Sequence, residues 1–566
     1  MPPLLKLLTL TAVCLATLAF SGQAEVSAAV LPVVPGSADA GRVKPEEKLP
    51  EVMQNSRGAI AVPAGVALTQ APKGAEGIHF VLQALNIEGA TVFPHAQLED
   101  LYGAQVGQEI ALAKIYDIAN KLTEKYRDAG YFLSRAYVPA QDIDKGIVTI
   151  RIVEGYIGAV DLPEKYAHSF MINSAIARLT AERPLTTEAL ESFLLRLNNL
   201  PGLDVSGVLS SMPKIEGAAQ LTLDIRRSEG LTQIGFDNFS SRYLGPNEVT
   251  ASWAGSLLPM QQTAISLVGG LPMSRLKAGT IGQKVMLIPG LSLDLAGSYT
   301  HSKPGFTLRQ FEVESTSAWL SAGLSYQWIR QRDQNLLSRI SFDARNTQSD
   351  ILNSPLTRDR VRAIRAGLSW DKTDRFQGRT NINATFSQGI NGFGASQPGA
   401  INLSRAAARP DFTKAEISVT RLQVLADNWA MMAGASGQKS SGALYSAEQF
   451  GYGGPVFGRA FDSSEITGDH GLSGSLELRY TKWSLDDPVS VQPFAFYDVG
   501  QVWGSGGNGN AAHQSGASAG FGARGVYYGF SAETGVAWPL TRPIQVPIYG
   551  QQKSGPRILL NISKTF

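Results

Sequence analysis

Residues 448–480 read EQFGYGGPVFGRAFDSSEITGDHGLSGSLELRY, and the two halves of this stretch obey different rules. The first half is loaded with glycine (Gly451, Gly453, Gly454, Gly458) and delivers one arginine and one aromatic in Gly458-Arg459-Ala460-Phe461. Beyond Gly468-Asp469 the chain alternates, with Leu476, Leu478 and Tyr480 set against Glu477, Arg479 and Thr481. Successive side chains of a strand point to opposite faces. The stretch therefore predicts a flexible loop, near 448–472, feeding a strand with one oily face.

The same alternation governs the chain from about Leu231 to its last residue. Val249, Ala251, Trp253, Gly255 and Leu257 oppose Thr250, Ser252 and Ser256, and Ile340, Phe342 and Ala344 oppose Ser341, Asp343 and Arg345. Ile364, Ala366, Leu368 and Trp370, then Ile382, Ala384 and Phe386, then Ala415, Ile417 and Val419 continue the pattern. A soluble sandwich alternates as well. Here, however, the opposite faces repeatedly carry charge beside small polar residues, as a wide aqueous lumen permits and a dry sandwich core does not. Segments of about ten residues, apolar on one face and polar on the other, are the signature of a transmembrane β-barrel, and residues 230–566 accommodate about 16 antiparallel strands. The last run, Ile558, Leu560, Ile562 and Phe566, stays in phase to the end, making Phe566 a C-terminal barrel signal.

Composition agrees. Charged residues make up 17% of the chain and 58 of its 566 residues are glycine, against roughly 25% and about 7% in ordinary soluble proteins. The surface thus carries less charge than water favours. A formal net charge of +2 gives no support to a nucleic-acid partner. Lys6 precedes an apolar run from Leu7 to Phe20, followed by Ser21-Gly22-Gln23-Ala24, so residues 1–24 form a cleavable signal peptide. A run of about 14 residues is short of the ~20 that cross a bilayer as a helix. Cys14, the only cysteine, lies within it, leaving the mature chain without disulfides or thiolate chemistry.

Residues 25–75, with prolines at 32, 35, 45, 50, 63 and 72, form a periplasmic linker with room for a short plug helix; a helix over 39–55 would be interrupted by Pro45 and Pro50. Two modules follow at 76–156 and 157–229, each in the order strand, helices, strand, strand. In the first, a strand is expected over 78–87, then a helix over 108–129 striped by Ile115, Ile118, Leu122 and Tyr126 and ended by Gly130, then strands over 131–139 and 147–153. In the second, a strand over 156–162 precedes helices over 171–179 and from Thr186 onward. Leu190, Phe193, Leu194 and Leu197 stripe the last helix and pack on the module's own sheet, Leu200-Pro201-Gly202 stops it, and strands over 204–210 and 220–226 complete the unit.

A signal peptide, two βααββ-like modules and a barrel ending in Phe resemble the outer-membrane transporters of two-partner secretion. This is the haemolysin secretion/activation family, within the wider superfamily of barrels bearing polypeptide-transport-associated (POTRA) domains. In the first module the matching residues are Gly130-Tyr131, Pro139 with Gln141, Gly146 and Val153-Glu154-Gly155; in the second they are Leu200-Pro201-Gly202 and the strand ending at Arg226. In the barrel they are Gly458-Arg459-Ala460-Phe461, Gly468-Asp469 and the strand motif Phe496-Tyr497-Asp498-Val499-Gly500.

The resemblance implies that the loop folds inward and that Arg459 reaches Asp498. By parity Phe496, Asp498 and Gly500 face the lumen while Ala495, Tyr497 and Val499 face lipid. Many superfamily members show Val-Arg-Gly before the aromatic, where this chain has Gly458-Arg459-Ala460. A watery lumen is expected to reduce the pair's worth well below the roughly 3–5 kcal/mol of a buried partner.

The resemblance further implies capture in the periplasm and export of an unfolded, haemolysin- or adhesin-like partner protein. It also implies a seat among outer-membrane lipids, insertion by the barrel-assembly machinery, and action as a monomer. An insertase that assembles other barrels is the first alternative, which two modules alone disfavour; a general porin is the second. No catalytic constellation, cofactor motif or metal-ligand spacing emerges. The histidines at 79, 95, 168, 301, 470 and 513 are scattered, and His470 is expected in a loop. Gly504, Gly506, Gly507 and Gly509 are expected in an extracellular loop, because no helix follows to hold a phosphate. Arg226-Arg227 is expected as a solvated strand end.

Overall fold

The structure is a computed structural model describing residues 34–44, 60–61, 69–143, 145–258, 260–481, 490–505, 513–541 and 555–566. The expected signal peptide, most of the expected linker and residues 506–512 lie outside them. Residues 36–42 form two single 3-10 turns, Gly36–Ala38 and Ala40–Arg42, rather than the start of an α-helix from Asp39. The Asp39 carboxylate accepts from the Gly41 amide at 2.8 Å, and Val43 is already extended. Pro45 follows, and a proline disfavours helical geometry in the residue before it. The rest of the expected helix lies outside the described residues. Farther on, β1 is the two-residue strand Ile60–Ala61.

The first module comprises β2 (His79–Val81), β3 (Ala84–Glu88), α1 (His95–Glu99), β4 (Glu109–Ala111), α2 (Leu112–Asp128), β5 (Arg135–Tyr137) and β6 (Ile147–Val153). Three expectations are corrected here. The single strand over 78–87 is two strands, because the chain changes partner at the fully buried Leu82: β2 pairs with β4, whereas β3 runs parallel to β6. The helix expected from residue 108 starts at Leu112, since Glu109–Ala111 is drawn into that pairing. The strand over 131–139 shrinks to β5, because Tyr131 and Ser134 close a turn and buried Ser134 accepts from the Gly155 amide at 3.1 Å. The helical stripe packs as periodicity requires, with Ile115, Ile118, Leu122 and Tyr126 buried against Val148, Ile150 and Ile152. Gly130 ends α2 at φ +89°, a left-handed conformation that favours glycine.

Gln141 hydrogen-bonds both the N–H and the C=O of Thr149, each at 2.7 Å, and reaches the Pro139 carbonyl at 3.3 Å, so it pins the crossing loop to β6. Tyr131 stacks edge-on against Tyr126 and Phe93. The Glu154 carboxylate accepts from Thr91 (backbone and hydroxyl), from the Val92 amide at 3.0 Å and from the Tyr126 hydroxyl at 2.8 Å. Burial pushes this carboxyl up, but the bonds from Thr91, Tyr126 and Val92 outweigh it and hold it below its ordinary 4.5. A depressed folded value means that the contribution to stability is complete above the unfolded value and is lost as pH falls through the folded one. Glu154→Gln is expected to speed amide exchange at Thr91 and Val92 by about ten-fold at neutral pH, since bonds to charged groups are worth ~1.5–3 kcal/mol. Acidification through the depressed folded value should erase the difference from wild type; unchanged exchange at pH 7 counts against the bracing role.

The second module is β7 (Tyr156–Asp161), α3 (Phe170–Ala181), α4 (Thr187–Asn198), β8 (Leu203–Ser211) and β9 (Ala218–Arg227), with sheet order β1-β8-β9-β7. Thr186 caps α4 through the Ala189 amide at 3.1 Å. Leu190, Phe193, Leu194 and Leu197 pack on Val205, Leu209, Leu221 and Ile225 of the module's own sheet. Leu200 is buried and Gly202, at φ +79°, turns the chain after Pro201 into β8. The Arg226 guanidinium pairs with Asp224, and Arg227 reaches the Ser256 carbonyl at 3.1 Å, tying the strand end to the barrel.

From β10 (Leu231–Asp237) the alternating segments close into a barrel of 16 antiparallel strands. The later wall strands are β20 (Trp429–Ser440), β23 (His470–Tyr480), β24 (Ser490–Trp503), β25 (Gln514–Tyr527), β26 (Phe530–Pro539) and β27 (Arg557–Thr565). Two short strands between them, β21 (Phe450–Tyr452) and β22 (Ile466–Gly468), pair only with each other. β27 pairs back to β10 from Asn561↔Asp237 to Thr565↔Gln233, and the Phe566 amide donates to the Thr232 carbonyl at 2.9 Å. Closure leaves no edge strand, the only sheet arrangement lipid tolerates. Leu472, Leu476, Leu478, Tyr497 and Val499 are exposed on the outer face. The second module rests on the periplasmic rim: Ser192 of α4 donates to the Arg330 carbonyl at 2.9 Å.

Candidate functional site: a loop locked inside the barrel

The segment 441–469 leaves β20, turns into the lumen and returns at β23, stiffened by the β21–β22 hairpin. Its tip reverses at Gly458, whose φ of +85° suits glycine and where a Cβ would come within 2.7 Å of the Tyr452 ring. The Gly458 and Arg459 amides both donate to one Asp498 oxygen, at 3.2 and 3.1 Å. Arg459 then grips the same carboxylate with two guanidinium nitrogens, at 3.0 and 2.8 Å, gives its Nη1 to Glu477 at 2.5 Å and lies 3.5 Å over the Phe496 ring. Ser475 bridges Arg459 and Asp498. Parity made this possible: Phe496, Asp498 and Gly500 are buried inward while Ala495, Tyr497 and Val499 are exposed.

The expectation of a watery, weakened contact is corrected. Arg459 is 6% exposed and Asp498 0%, because aromatic rings and the wall shield the pair from water. Phe461 is buried beside Tyr452, Ala460 packs against Phe494 and Phe496, and the Phe461 carbonyl accepts from Arg557 at 2.6 Å. Glycines on the wall make room for these rings: a Cβ at Gly500 or Gly516 would collide with Tyr452, and one at Gly520 with Phe496.

Gly468 lies so close to the Trp503 backbone that a Cβ would meet it at 2.8 Å. Asp469 is fully buried and does not join Arg459. It accepts from Leu444 at 2.9 Å and Ser505 at 2.7 Å, and takes a two-pronged grip from Arg405 on the 390–412 loop. His470 belongs to β23 rather than to a loop; its ring sits between the Ser440 amide at 3.1 Å and the Ser505 hydroxyl, bonds that draw it into the wall.

Several contributors lie outside the sequence motifs. Glu477 also takes Arg479 at 2.8 Å and Arg524 at 2.9 Å, and its charge on a lumen-facing position was the available signal. Glu448, at the loop's base, is held by Arg365 at 2.7 Å and Lys414 at 2.9 Å. Arg42 of the N-terminal segment donates to the Ser446 and Gln449 carbonyls at 2.6 and 2.9 Å and to Ser464 at 3.2 Å, while Arg345 of the wall donates to the Gly41 carbonyl. No metal-ligating cluster occurs among the described residues.

A 16-stranded barrel with modules on one rim, filled by its own loop and N-terminal segment, defines a transmembrane β-barrel whose lumen is occupied by its own chain. The family description "Haemolysin secretion/activation protein ShlB/FhaC/HecB" matches residues 290–525, and "POTRA domain, ShlB-type" matches residues 80–155. The chain belongs to that haemolysin secretion/activation family, with its barrel in the outer membrane and its modules in the periplasm. It is 24% identical over 407 residues to the Heme/hemopexin transporter protein HuxB of Haemophilus influenzae, covering 70% of this chain and 71% of that one. It is 24% identical over 511 residues to the outer membrane transporter CdiB of Escherichia coli, covering 86% and 83%. The solved CdiB from Escherichia coli superposes with a TM-score of 0.66 at 18% identity over 89% of this chain and 94% of that one. BamA from Haemophilus ducreyi lacking POTRA domains 1–3 reaches 0.50 at 12% identity, covering 86% of this chain and 100% of that one.

Proposed function

We propose that the described arrangement is the closed state of a two-partner secretion transporter, in which the modules capture an unfolded partner protein in the periplasm and the Arg459 loop must leave its seat before that protein crosses the lumen. The observation that carries this reading is Arg459, buried between Asp498 and Glu477 on the inner face of the barrel wall. A loop merely lying in a pore has no need of so specific a seat. The partner protein is of the haemolysin or adhesin type and is unfolded in transit. The transporter works as a monomer among outer-membrane lipids, placed there by the barrel-assembly machinery. Heme and hemopexin belong to one relative's name and are not carried over as cargo. Deleting residues 76–229 is expected to stop secretion while the inserted barrel still conducts ions in a planar bilayer. Full secretion without the modules would overturn the capture role.

A further inference from the structure

We propose that the outer face of the barrel around Arg358, Arg360 and Arg362 binds a phosphorylated, multiply acylated glycolipid of the outer leaflet, its phosphates held by the arginines and an acyl chain laid in the groove below them. The site needs only the outer-membrane seat and is independent of the export reading. β16 (Gln334–Ile351) and β17 (Ser354–Thr373) form a hairpin of 18- and 20-residue strands. On β17 the buried side chains Asp359, Val361 and Ala363 point inward, and so does Arg365, which reaches Glu448 of the lumen loop. Parity therefore puts Arg358, Arg360 and Arg362 on the outer face, in line with Ile364, Ala366, Leu368 and Trp370. Trp370 pairs with Leu336, beside the Asn335–Arg330 pair at the rim that carries the second module, so the arginines lie toward the extracellular end. The step from Trp370 to Arg362 covers about 27 Å of strand, or roughly 20 Å across the membrane at the usual tilt, against an apolar band about 25 Å tall. The arginines thus begin where hydrocarbon ends, at the level of lipid phosphates.

Charge matching sets this row apart from the lumen. Inward cations meet carboxylates: Arg365 has Asp343 and Glu448, and Arg459 has Asp498 and Glu477. Arg358 and Arg360 are held through their backbones, by the Asn402 carbonyl and the Ser396 hydroxyl, and among the described residues their guanidinium groups pair with no carboxylate. The Arg362 side chain bonds only carbonyls, those of Phe393 at 3.1 Å, Arg345 at 3.3 Å and Val361 at 2.8 Å. On the neighbouring strand, Asp350 takes the Gln348 amide at 2.8 Å instead. Clustered basic residues at a membrane surface attract anionic headgroups, and the arginine fork matches phosphate. The surroundings supply the apolar half of the ligand's fit. Phe393, 77% exposed, sets its ring edge-on to the outward Phe342 at 5.5 Å, on the lipid side of the arginines. Below them the small side chains of Ala366 and Ala415, with Gly437, leave a groove of about 670 Å³ among Leu368, Phe386 and Leu472, and exposed Lys439 stands at its edge. A soluble phosphate ion would use the arginines and not the groove. A molecule that joins phosphates to acyl chains uses both.

The test is native mass spectrometry of the full-length chain in detergent micelles, titrated with bisphosphorylated lipid A, with its dephosphorylated form or with inorganic phosphate. Lipid A is expected to be retained and the dephosphorylated form lost. Arg358→Gln with Arg360→Gln, which removes no bond within the protein, is expected to weaken lipid A retention by about ten-fold. Ala415→Trp, which fills the groove, should weaken it as well. Lys277→Gln, at an exposed cation of β13 (Leu276–Ile288), should bind as wild type does. Heat-modifiability confirms that each variant has folded. Undiminished retention by the arginine variant, an equal loss in Lys277→Gln, or equal retention of the dephosphorylated lipid overturns the proposal. Displacement of lipid A by inorganic phosphate, with Ala415→Trp binding normally, sinks the lipid and leaves a site for free anions.

Discussion

Arg459→Ala is expected to cut secretion by at least about ten-fold while the barrel inserts normally, because removing one member of a buried charge pair costs roughly 3–5 kcal/mol. The substitution strips the guanidinium bonds from Asp498 and Glu477 and leaves two carboxylates facing a dry site. The loop then loses its single home and fills the lumen in many arrangements, none of which clears the path as a unit. Insertion is spared because the strand ladder, including its β10–β27 closure, uses no bond from Arg459. Arg459→Lys should rescue little, since an ammonium cannot reproduce a two-nitrogen grip. Secretion of the partner, measured beside heat-modifiability of the barrel, decides the matter: normal insertion with undiminished secretion removes the loop from the mechanism.

Deleting residues 36–44 is expected to raise single-channel conductance, since the segment occupies part of a lumen that a 16-stranded barrel otherwise leaves aqueous. This segment is bound by specific contacts. Arg42 makes three hydrogen bonds to the loop, Ser446 reaches Asp39 at 2.5 Å, and Ser241 bonds the Ser37 carbonyl. Arg42→Ala alone should give a smaller rise, as Asp39 and the Arg345 bond to Gly41 remain. Planar-bilayer recordings in which the deletion conducts like wild type would show that the segment does not limit the pore.

Period-two alternation made the barrel legible because a wall between lipid and water must alternate, and the outward Leu476 and Val499 and inward Glu477 and Asp498 follow parity alone. The contact of Arg459 with Asp498 was legible only through motif resemblance, since no local rule joins residues 39 positions apart. Dryness was not legible at all, because it depends on rings brought from Phe461, Phe494 and Tyr452 at once. The same holds for Asp469, whose partner Arg405 comes from a loop 64 residues away. In the first module the partner switch at Leu82 hid within a continuous β-prone run, where propensity cannot distinguish one long strand from two short ones.

The glycines beneath the loop have a consequence for whatever travels through. Gly500 and Gly516 accommodate the loop's Tyr452 and Phe461 by having no side chains. On the opening proposed above, part of the path uncovered is bare backbone, a low-friction floor with little to tell one passing sequence from another. Choosing the cargo must then be finished upstream, before the first residue touches that floor.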